Sequence, residues 1–428
     1  MTARAFKTRV DVCIGKSGQP VGQLTYVKDG AREYSAFVYY NAWLTRPERF
    51  EVSSDLPLVD GHMTRRAPSK EDSCFHFALA DTEPDAWGCR VIARAHVKER
   101  KKNPNLPALT AFDYLSGVDD FSRIGALRLR NDTNRFLLTV EQGKRATAPL
   151  LELQRIYDAT RALEAGKETA ADLKYLQGKG TSLGGMRPKC TVLEEDGSLA
   201  LGKFPSVKDV RSVTRAEVLA LHLAHRAGID AANARIVPIN GTPVAIIRRF
   251  DRTADDARIH YMSAASMLQA SRNEDRTYTE VADIIRAKCA DPIKDTKQLW
   301  RRLVFNLLIT NVDDHLHNLG FLYVGQGKWR LAPGFDLNPF PDKDRESKTW
   351  LSEDTGPIVS LSMLMEHADY FGLQPPEASK VLAEVHAAVS EWRSVALGPH
   401  VGLVLNELDE FAPAFEHADR DAVRDLLV

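Results

Sequence analysis

Apolar and polar residues follow different periods in different parts of the chain. Over residues 9–50 they alternate in short runs that glycines interrupt, which is typical of strands joined by tight turns. Over residues 80–100 and 154–177 the apolar positions recur at helical spacing. This part of the chain therefore predicts a strand-rich beginning followed by helices.

Two pairs of short apolar runs come next along the chain. An Asp-Gly dipeptide separates the first pair and an Asn-Gly dipeptide the second, and such dipeptides are strong short-range signals of a β-hairpin. The four predicted strands are Thr191–Leu193, Leu199–Phe204, Ala234–Ile239 and Val244–Phe250. A helix is predicted between the hairpins, with Thr214 and Glu217 as a capping box and Gly228 as its end.

After residue 250 the pattern is mostly helical, with one β interruption at Leu319–Leu331. We therefore predict an α+β fold in three regions. Residues 1–145 form a β-rich region, residues 146–250 a small mixed lobe with a glycine-rich loop, and residues 251–428 a helical lobe.

Size and charge narrow the class of protein. The chain has 428 residues, 44% of them hydrophobic, so it is long enough for two large lobes or about three domains, each with its own core. Lys and Arg number 57 against 58 Asp and Glu, which leaves a net charge of -1. Such a balance provides no global field for DNA or an anionic membrane.

The cysteines and the apolar runs indicate the cellular compartment in which we expect the protein. The five cysteines are widely spaced and never form a CxxC pair, which argues against a disulfide scaffold or a zinc ribbon. The beginning of the sequence lacks a signal-peptide pattern, and no window approaches 18 consecutive apolar residues. We therefore expect a soluble, cytoplasmic protein without a membrane partner.

The stretch with the most candidate catalytic side chains follows a predicted helix at Leu299–Thr310. Residues 311–318 read Asn-Val-Asp-Asp-His-Leu-His-Asn, in which Asn318 stands five positions after Asp313. The predicted hairpin then carries Asp336 back toward this stretch. A phosphotransferase needs one carboxylate to orient a hydroxyl, and a carboxylate and an amide to hold Mg²⁺ against phosphates. This order of residues predicts such a site.

Other interpretations of this stretch remain open. It could be a polar turn, with Asp314 and Asn318 as caps and both histidines solvated. His315 and His317 could bind zinc in an unrelated metal hydrolase, although neither an HExxH motif nor a nearby cysteine supports this. Asp314 could compete for the role of base, but only Asp313 has the five-residue spacing to Asn318.

A glycine-rich segment forms the second candidate. Residues 178–189 read Gly-Lys-Gly-Thr-Ser-Leu-Gly-Gly-Met-Arg-Pro-Lys. Four glycines let backbone N–H groups approach phosphate oxygens, and Lys179, Arg187 and Lys189 add charge. The segment matches neither GxxxxGK[ST] nor GxGxxG, so a flexible surface loop is the alternative. Lys203 follows on a predicted strand, either as a phosphate ligand or as a lysine that reaches solvent.

Together, these motifs resemble the HipA family of bacterial serine/threonine kinase toxins. The resemblance consists of the order Ser-x-Gly-Gly-x-Arg-Pro-Lys, a strand lysine, a helix, Arg-Phe-Asp-Arg at 249–252, Asp-x-His-x-x-Asn and Phe-Asp. Residues 79–88 and 125–129 are also similar to that family's N-terminal subdomain. The resemblance implies a bilobal protein-kinase-like fold with an extra β-rich subdomain.

It also implies roles for individual residues. Asp313 corresponds to the catalytic base, Asn318 and Asp336 to the Mg²⁺ ligands, and Ser182 to a loop serine that is autophosphorylated, with Thr181 as its rival. The residues implied around ATP are Ser182, Gly184, Gly185, Lys189, Lys203, Arg248, Phe250, Asp251, His315 and Asn318. The cofactors are then ATP and Mg²⁺.

The partners implied are a protein substrate and a small helix-turn-helix, HipB-like antitoxin that carries most contacts to DNA. Aminoacyl-tRNA synthetases are one recurring kind of target in the family. Two other functions stay open at this stage. One is a kinase-like phosphotransferase that acts on a small molecule, and the other is a catalytically silent antitoxin- or DNA-associated protein.

Overall fold

The computed structural model describes residues 6–138, 148–149, 152–177 and 185–427. They form two compact units. The first contains the described residues up to Val207, together with Asp251–Met262 and Gly325–Gly327. The second contains Lys208–Phe250, Ser263–Val324 and the described residues from Lys328 onward. The three-region division predicted from sequence stays a prediction.

The first unit contains most of the β structure that was predicted near the beginning of the chain. Its strands are β1 (Phe6–Ile14), β2 (Gln19–Asp29), β3 (Arg32–Tyr39), β4 (Met63–Arg66), β5 (Leu127–Arg130), β6 (Ala148–Pro149), β7 (Lys189–Leu193) and β8 (Leu199–Lys203). Its helices are α1 (Asn41–Leu44), α2 (Phe77–Ala80), α3 (Ala86–Lys102), α4 (Ala111–Ser116), α5 (Leu153–Glu164) and α6 (Ala170–Gln177).

Strands β1 to β5 form one antiparallel sheet in the order β4-β3-β2-β1-β5. In β3 the buried residues are Ser35, Phe37 and Tyr39, the period of two expected when one face of a sheet covers a core. Tyr26 of β2 is fully buried, with its ring centre 5.9 Å from that of Phe75. The predicted strand-rich beginning is confirmed.

The first predicted hairpin is also confirmed. Strands β7 and β8 pair in antiparallel register, which places Lys189 directly opposite Lys203. Helix α3 begins after Asp85, whose carboxylate accepts a hydrogen bond from the N–H of Gly88 at 2.6 Å. Asp is a favoured residue at this capping position because its side chain satisfies a backbone donor of the first turn.

The second unit is mostly helical. Its helices are α7 (Val213–Arg226), α8 (Ala264–Met267), α9 (Tyr278–Lys288), α10 (Pro292–Leu308), α11 (Leu361–Glu366), α12 (Pro375–Ser390), α13 (Trp392–Leu397), α14 (Leu405–Phe415) and α15 (Ala418–Leu426). Strands β9 (Ala234–Ile239), β10 (Thr242–Arg248), β11 (Tyr261–Ser263, which begins in the first unit), β12 (Gly320–Gly325), β13 (Lys328–Leu331), β14 (Trp350–Ser352) and β15 (Gly356–Pro357) complete the set. Single 3-10 turns lie at Leu316–Asn318 and Ala368–Phe371.

Strands β9 and β10 confirm the second hairpin. Asn240 and Gly241 both have positive φ angles, 48° and 80°, as the favoured two-residue hairpin turn requires. The predicted capping box of α7 is wrong. The helix already begins at Val213, so Thr214 lies inside its first turn, where its hydroxyl donates to the carbonyl of Pro243 at 3.0 Å. Glu217 is buried within the same helix.

Helix α10 leads into the candidate catalytic stretch. Asp291 caps it by accepting from the N–H of Lys294, and Pro292 occupies its first turn, where a missing N–H costs nothing. Trp300 is fully buried in the core of the unit. The helix ends at Leu308, and Thr310 follows with a φ of +50°. This left-handed residue turns the chain out of the helix.

The predicted α+β class is confirmed. In the described part of the chain, no helix combines the length and the apolar character that a membrane crossing requires.

Candidate functional site

Amide side chains attach the stretch after α10 to the segment that carries Asp336. Asn311 donates from Nδ2 to Oδ1 of Asn306 on α10, and its own Oδ1 accepts the N–H of Asn338 at 3.3 Å. The Asn338 amide in turn donates to the backbone oxygen and Oδ1 of Asp336, at 3.2 and 3.1 Å. Asn311 therefore fixes both chain segments relative to the same helix.

Asp313 and Asn318 form a closed turn. The Nδ2 of Asn318 donates to the backbone oxygen of Asp313 at 2.8 Å, which fixes the orientation of the amide. The Leu316–Asn318 turn of 3-10 helix brings the two residues together. The five-residue spacing noted in the sequence thus corresponds to one compact loop.

Asp336 follows β13, as predicted. Arg302 of α10, itself buried, donates to the carbonyl of Ala332 at 2.8 Å and so fixes the chain just before Asp336. Asp336 has a φ of +53°. A non-glycine residue in this region is strained, and such strain is found preferentially at functional sites.

A cleft lies in this part of the second unit. Asn318 and Asp336 both line it, together with His315 and Phe335. Asp313 flanks the cleft, because Nε2 of His315 lies 3.9 Å from Oδ1 of Asp313. The structure thus places both predicted metal ligands on one cleft, and the predicted base next to His315, which also lines it.

The neighbouring carboxylate, Asp314, has a different environment. It is buried, and it accepts hydrogen bonds from the Tyr278 hydroxyl at 2.7 Å and from the N–H of Lys348 at 2.7 Å. Burial raises the pKa of Asp314 to about 6, although both hydrogen bonds oppose this shift. These contacts show Asp314 anchoring the loop, whereas Asp313 is the partly exposed carboxylate.

The side chain of Lys348 extends over Asp313. Its Nζ donates to Oδ1 of Asp313, and the two side chains are 55% and 36% exposed. Nε2 of His315 lies 3.9 Å from the same oxygen, Oδ1 of Asp313. Burial lowers the pKa of His315, and the Asp313 carboxylate opposes that shift.

The predicted phosphate-binding lysines lie in the first unit. Nζ of Lys189 lies 3.0 Å from Oδ2 of Asp85, and both side chains are buried. Lys203, also buried, stands opposite Lys189 in the hairpin. Burial raises the pKa of Asp85, although Lys189, the Gly88 N–H and Lys203 all act in the opposite direction.

Gly185 lies beside this cluster. A Cβ atom there would stand 2.9 Å from Nζ of Lys189, and the Gly185 carbonyl accepts the N–H of Trp87 at 3.3 Å. The end of the glycine-rich segment is therefore attached to the first turn of α3. Ser182 and Gly184, like the rival Thr181, lie outside the described residues.

Three other residues that the resemblance implies around ATP, Arg248, Phe250 and Asp251, have different surroundings. Arg248 is exposed, with its backbone N–H donated to the carbonyl of Asn233. The Phe250 ring centre lies 5.5 Å from that of Phe335, which lines the cleft.

Asp251 is buried in the first unit. It accepts hydrogen bonds from the N–H of Gly125 at 2.7 Å and from Arg252 at 2.6 Å. These contacts give Asp251 a structural role, and its implied place near ATP stays a prediction.

Sequence reasoning missed several residues of these sites. Asp85 had one signal, because an Asp directly before a helical run is a typical cap. The positions of Tyr278 and Lys348 depend on long-range contacts with Asp314 that no local pattern reveals.

The residues around the cleft fit Mg²⁺. This ion prefers oxygen ligands and is usually held by one or two carboxylates plus substrate phosphates. Asp336 supplies a carboxylate and Asn318 an amide oxygen on the same cleft. No cluster of three or more His, Cys, Asp or Glu side chains able to hold a metal ion occurs in the described ranges.

Comparisons with known proteins identify a family and relatives that this chain resembles. Residues 181–392 match the HipA-like C-terminal domain family. A Sinorhizobium fredii protein named "Putative kinase Y4mE" is 27% identical over 343 residues, which cover 75% of each chain. A Haemophilus influenzae protein named "Putative kinase" is 22% identical over 38% of this chain and 55% of its own.

The fold as a whole also has a solved counterpart. The HipA chain in a Shewanella oneidensis structure of the toxin-antitoxin HipA, HipB and operator DNA complex superposes with a TM-score of 0.67 at 16% identity. The match covers 98% of this chain and 99% of that chain. The match of residues 181–392 to the HipA-like C-terminal domain family confirms the resemblance inferred from the motifs.

Proposed function

We propose that the protein is an ATP-dependent serine/threonine protein kinase that transfers phosphate with Asp313 as its base. The observation that carries the proposal is the placement of Asn318 and Asp336 on one cleft that Asp313 flanks. Phosphoryl transfer needs little covalent chemistry from the protein, so correct positioning supplies most of the catalysis. The two relatives named as kinases support this class.

The roles of the residues follow from their contacts. Asp313 accepts the proton of the acceptor hydroxyl, while the Asn318 amide and the Asp314 network hold its loop in place. Mg²⁺ bound by Asn318 and Asp336 would neutralise phosphate charge. Lys189 and Lys203 are proposed as phosphate-binding residues, with Phe250 near the nucleotide.

We also propose how the kinase is regulated and which partner it binds. We include autophosphorylation at Ser182, which would add a charge of roughly -1.5 to -2 and switch the enzyme off by reshaping a glycine-rich loop. We also include a HipB-like antitoxin that carries the DNA contacts, because the Shewanella structure contains HipA, HipB and operator DNA. The near-zero net charge suits an indirect association with DNA.

The decisive experiment is phosphate transfer by the wild-type protein and by Asp313→Asn. The purified full chain is incubated with Mg²⁺, γ-labelled ATP and a cell lysate. We expect labelled protein bands with the wild type and a loss of roughly 100-fold or more with Asp313→Asn, because general base catalysis contributes about 10²–10⁴-fold. Mass spectrometry of the labelled chain then tests Ser182 against Thr181.

Asp344→Asn is the matched control, since Asp344 is an exposed acid in the same unit. Its activity should equal that of the wild type. Retained transfer by folded Asp313→Asn would overturn the assignment of the base. Label found only in small molecules would favour the small-molecule phosphotransferase, and no label anywhere would favour a silent binding protein.

A further inference from the structure

The segment that carries Lys348 is held in place by its backbone. The N–H of Lys348 donates to Oδ1 of Asp314, and the hydroxyl of Thr349 donates to the Asp314 carbonyl at 2.9 Å. On the preceding side, the Ser347 N–H donates to the carbonyl of Ile358, and the Ser347 hydroxyl accepts the Ile358 N–H. The backbone of Lys348 is thus fixed next to the loop of Asp313.

The side chain of Lys348, in contrast, extends into solvent over Asp313. An exposed ion pair of this kind contributes only about 0–1 kcal/mol to stability. The backbone of Lys348, however, is held by Asp314, a buried carboxylate whose desolvation is costly. Stability alone therefore does not explain why this backbone presents an ammonium group at this carboxylate.

We propose that Lys348 is a further catalytic residue, whose ammonium group binds the phosphoryl group during its transfer. This inference rests on the proposed kinase function and concerns the same site. Lys348 contacts Oδ1 of Asp313, while Oδ2 of Asp313 accepts no hydrogen bond from the described residues. One carboxylate therefore carries two tasks, since Oδ1 positions the cation and Oδ2 receives the proton.

The transfer of the phosphoryl group needs no reactant other than ATP and the acceptor hydroxyl. The acceptor oxygen attacks the γ-phosphorus and forms a new P–O bond, and its proton passes to Oδ2 of Asp313. The bond from the γ-phosphorus to the bridging oxygen breaks, and ADP leaves with that electron pair. Lys348 keeps its proton throughout and moves its contact from Oδ1 to the phosphoryl oxygens, where a cation lowers the barrier.

The test compares Lys348→Met, Lys348→Arg and Lys343→Met in the full chain. Methionine has a similar length without the charge, and arginine keeps the charge. Lys343 is an exposed lysine in the same connecting segment, so it provides the matched control. The measurements are the single-turnover rate of autophosphorylation at saturating Mg²⁺ and ATP, and the Kd for ATP by titration calorimetry.

We expect Lys348→Met to transfer phosphate roughly 100-fold more slowly while its Kd for ATP stays within about threefold, because its contact forms mainly in the transition state. Lys348→Arg should recover part of the rate, and Lys343→Met should match the wild type.

A Lys348→Met rate within about threefold of the wild type, or above it, would overturn the inference. An increase would show that Lys348 inhibits the base. If the wild type itself neither binds nor turns over ATP, the proposed function fails instead. The two failures are therefore distinguishable.

Discussion

Two lysine-aspartate pairs of the molecule differ in almost every physical respect. In the first unit, Lys189 and Asp85 lie 3.0 Å apart with side chains only 2% and 5% exposed. In the second unit, Lys348 and Asp313 also form an ion pair, but their side chains are 55% and 36% exposed. Both pairs involve a residue for which we propose a role in phosphate transfer.

The difference in burial indicates that one pair holds its lysine in place, whereas the other can release its lysine to a phosphate. Removing one partner of a buried pair leaves a charge without compensation in a medium of low polarity, so the pair behaves as one rigid element. An exposed pair is weak and already hydrated, so a phosphate can replace the carboxylate at little cost. We infer that Asp85 holds Lys189 in one position, whereas Asp313 gives up Lys348 during the reaction.

The largest effect is expected from breaking the buried pair. Asp85→Asn keeps an oxygen that caps α3 but removes the charge beside Lys189 and Lys203. We expect the free energy of unfolding to fall by about 3–5 kcal/mol, because the buried Lys189 ammonium group loses the carboxylate with which it forms an ion pair. Urea denaturation of the full chain measures the change.

The double variant Asp85→Asn/Lys189→Met is the control for that experiment. It removes both charges, so it should recover a substantial part of the lost stability. A loss below about 1 kcal/mol in Asp85→Asn would show that the pair does not fix this part of the molecule.

A smaller effect, dependent on pH, is expected from Asp314, the buried carboxylate beside the exposed pair. Its pKa is raised from 3.8 to about 6 in the folded chain, so its favourable contribution is fully present below about pH 4 and is lost as the pH rises through 6. Relative to Asp314→Asn, the wild type should lose up to about 3 kcal/mol between pH 4 and pH 7.

Denaturation curves of both proteins at several pH values provide this difference. Asparagine keeps an oxygen to accept the Lys348 N–H, so the variant should still fold. Asp344→Asn, which removes an exposed carboxylate from the same unit, is measured in parallel as the matched control. A constant difference for Asp314→Asn would mean that the carboxylate is not desolvated in the folded chain.

The sequence predicted those parts of the site that depend on local chain geometry. The Asp-Gly and Asn-Gly turns fixed both hairpins, and the spacing from Asp313 to Asn318 corresponds to one closed turn. The return of Asp336 was predictable because a tight hairpin reverses the chain over a short distance.

Contacts between distant segments were not predictable in the same way. Asp85 and Lys189 are far apart in the sequence, and nothing in either local pattern specifies their contact. The same holds for Lys348 with Asp313 and Asp314. The capping box at Thr214 was wrong because several adjacent polar residues can begin a helix, and tertiary contact with Pro243 decided the choice.

The smallest effect is expected from removing the exposed pair. Lys348→Met should change the free energy of unfolding by no more than about 1 kcal/mol, because water screens both side chains and the backbone N–H to Asp314 is retained. The change should shrink further at high salt, where the Debye length is only about 3 Å at 1 M. Urea denaturation at low and high salt, with Lys343→Met in parallel, measures it.

A loss of about 3 kcal/mol or more would place the exposed pair in the same class as Lys189 with Asp85. Asp313 would then be bound too tightly to its lysine to release it to a phosphate, and the distinction between the two pairs would not hold.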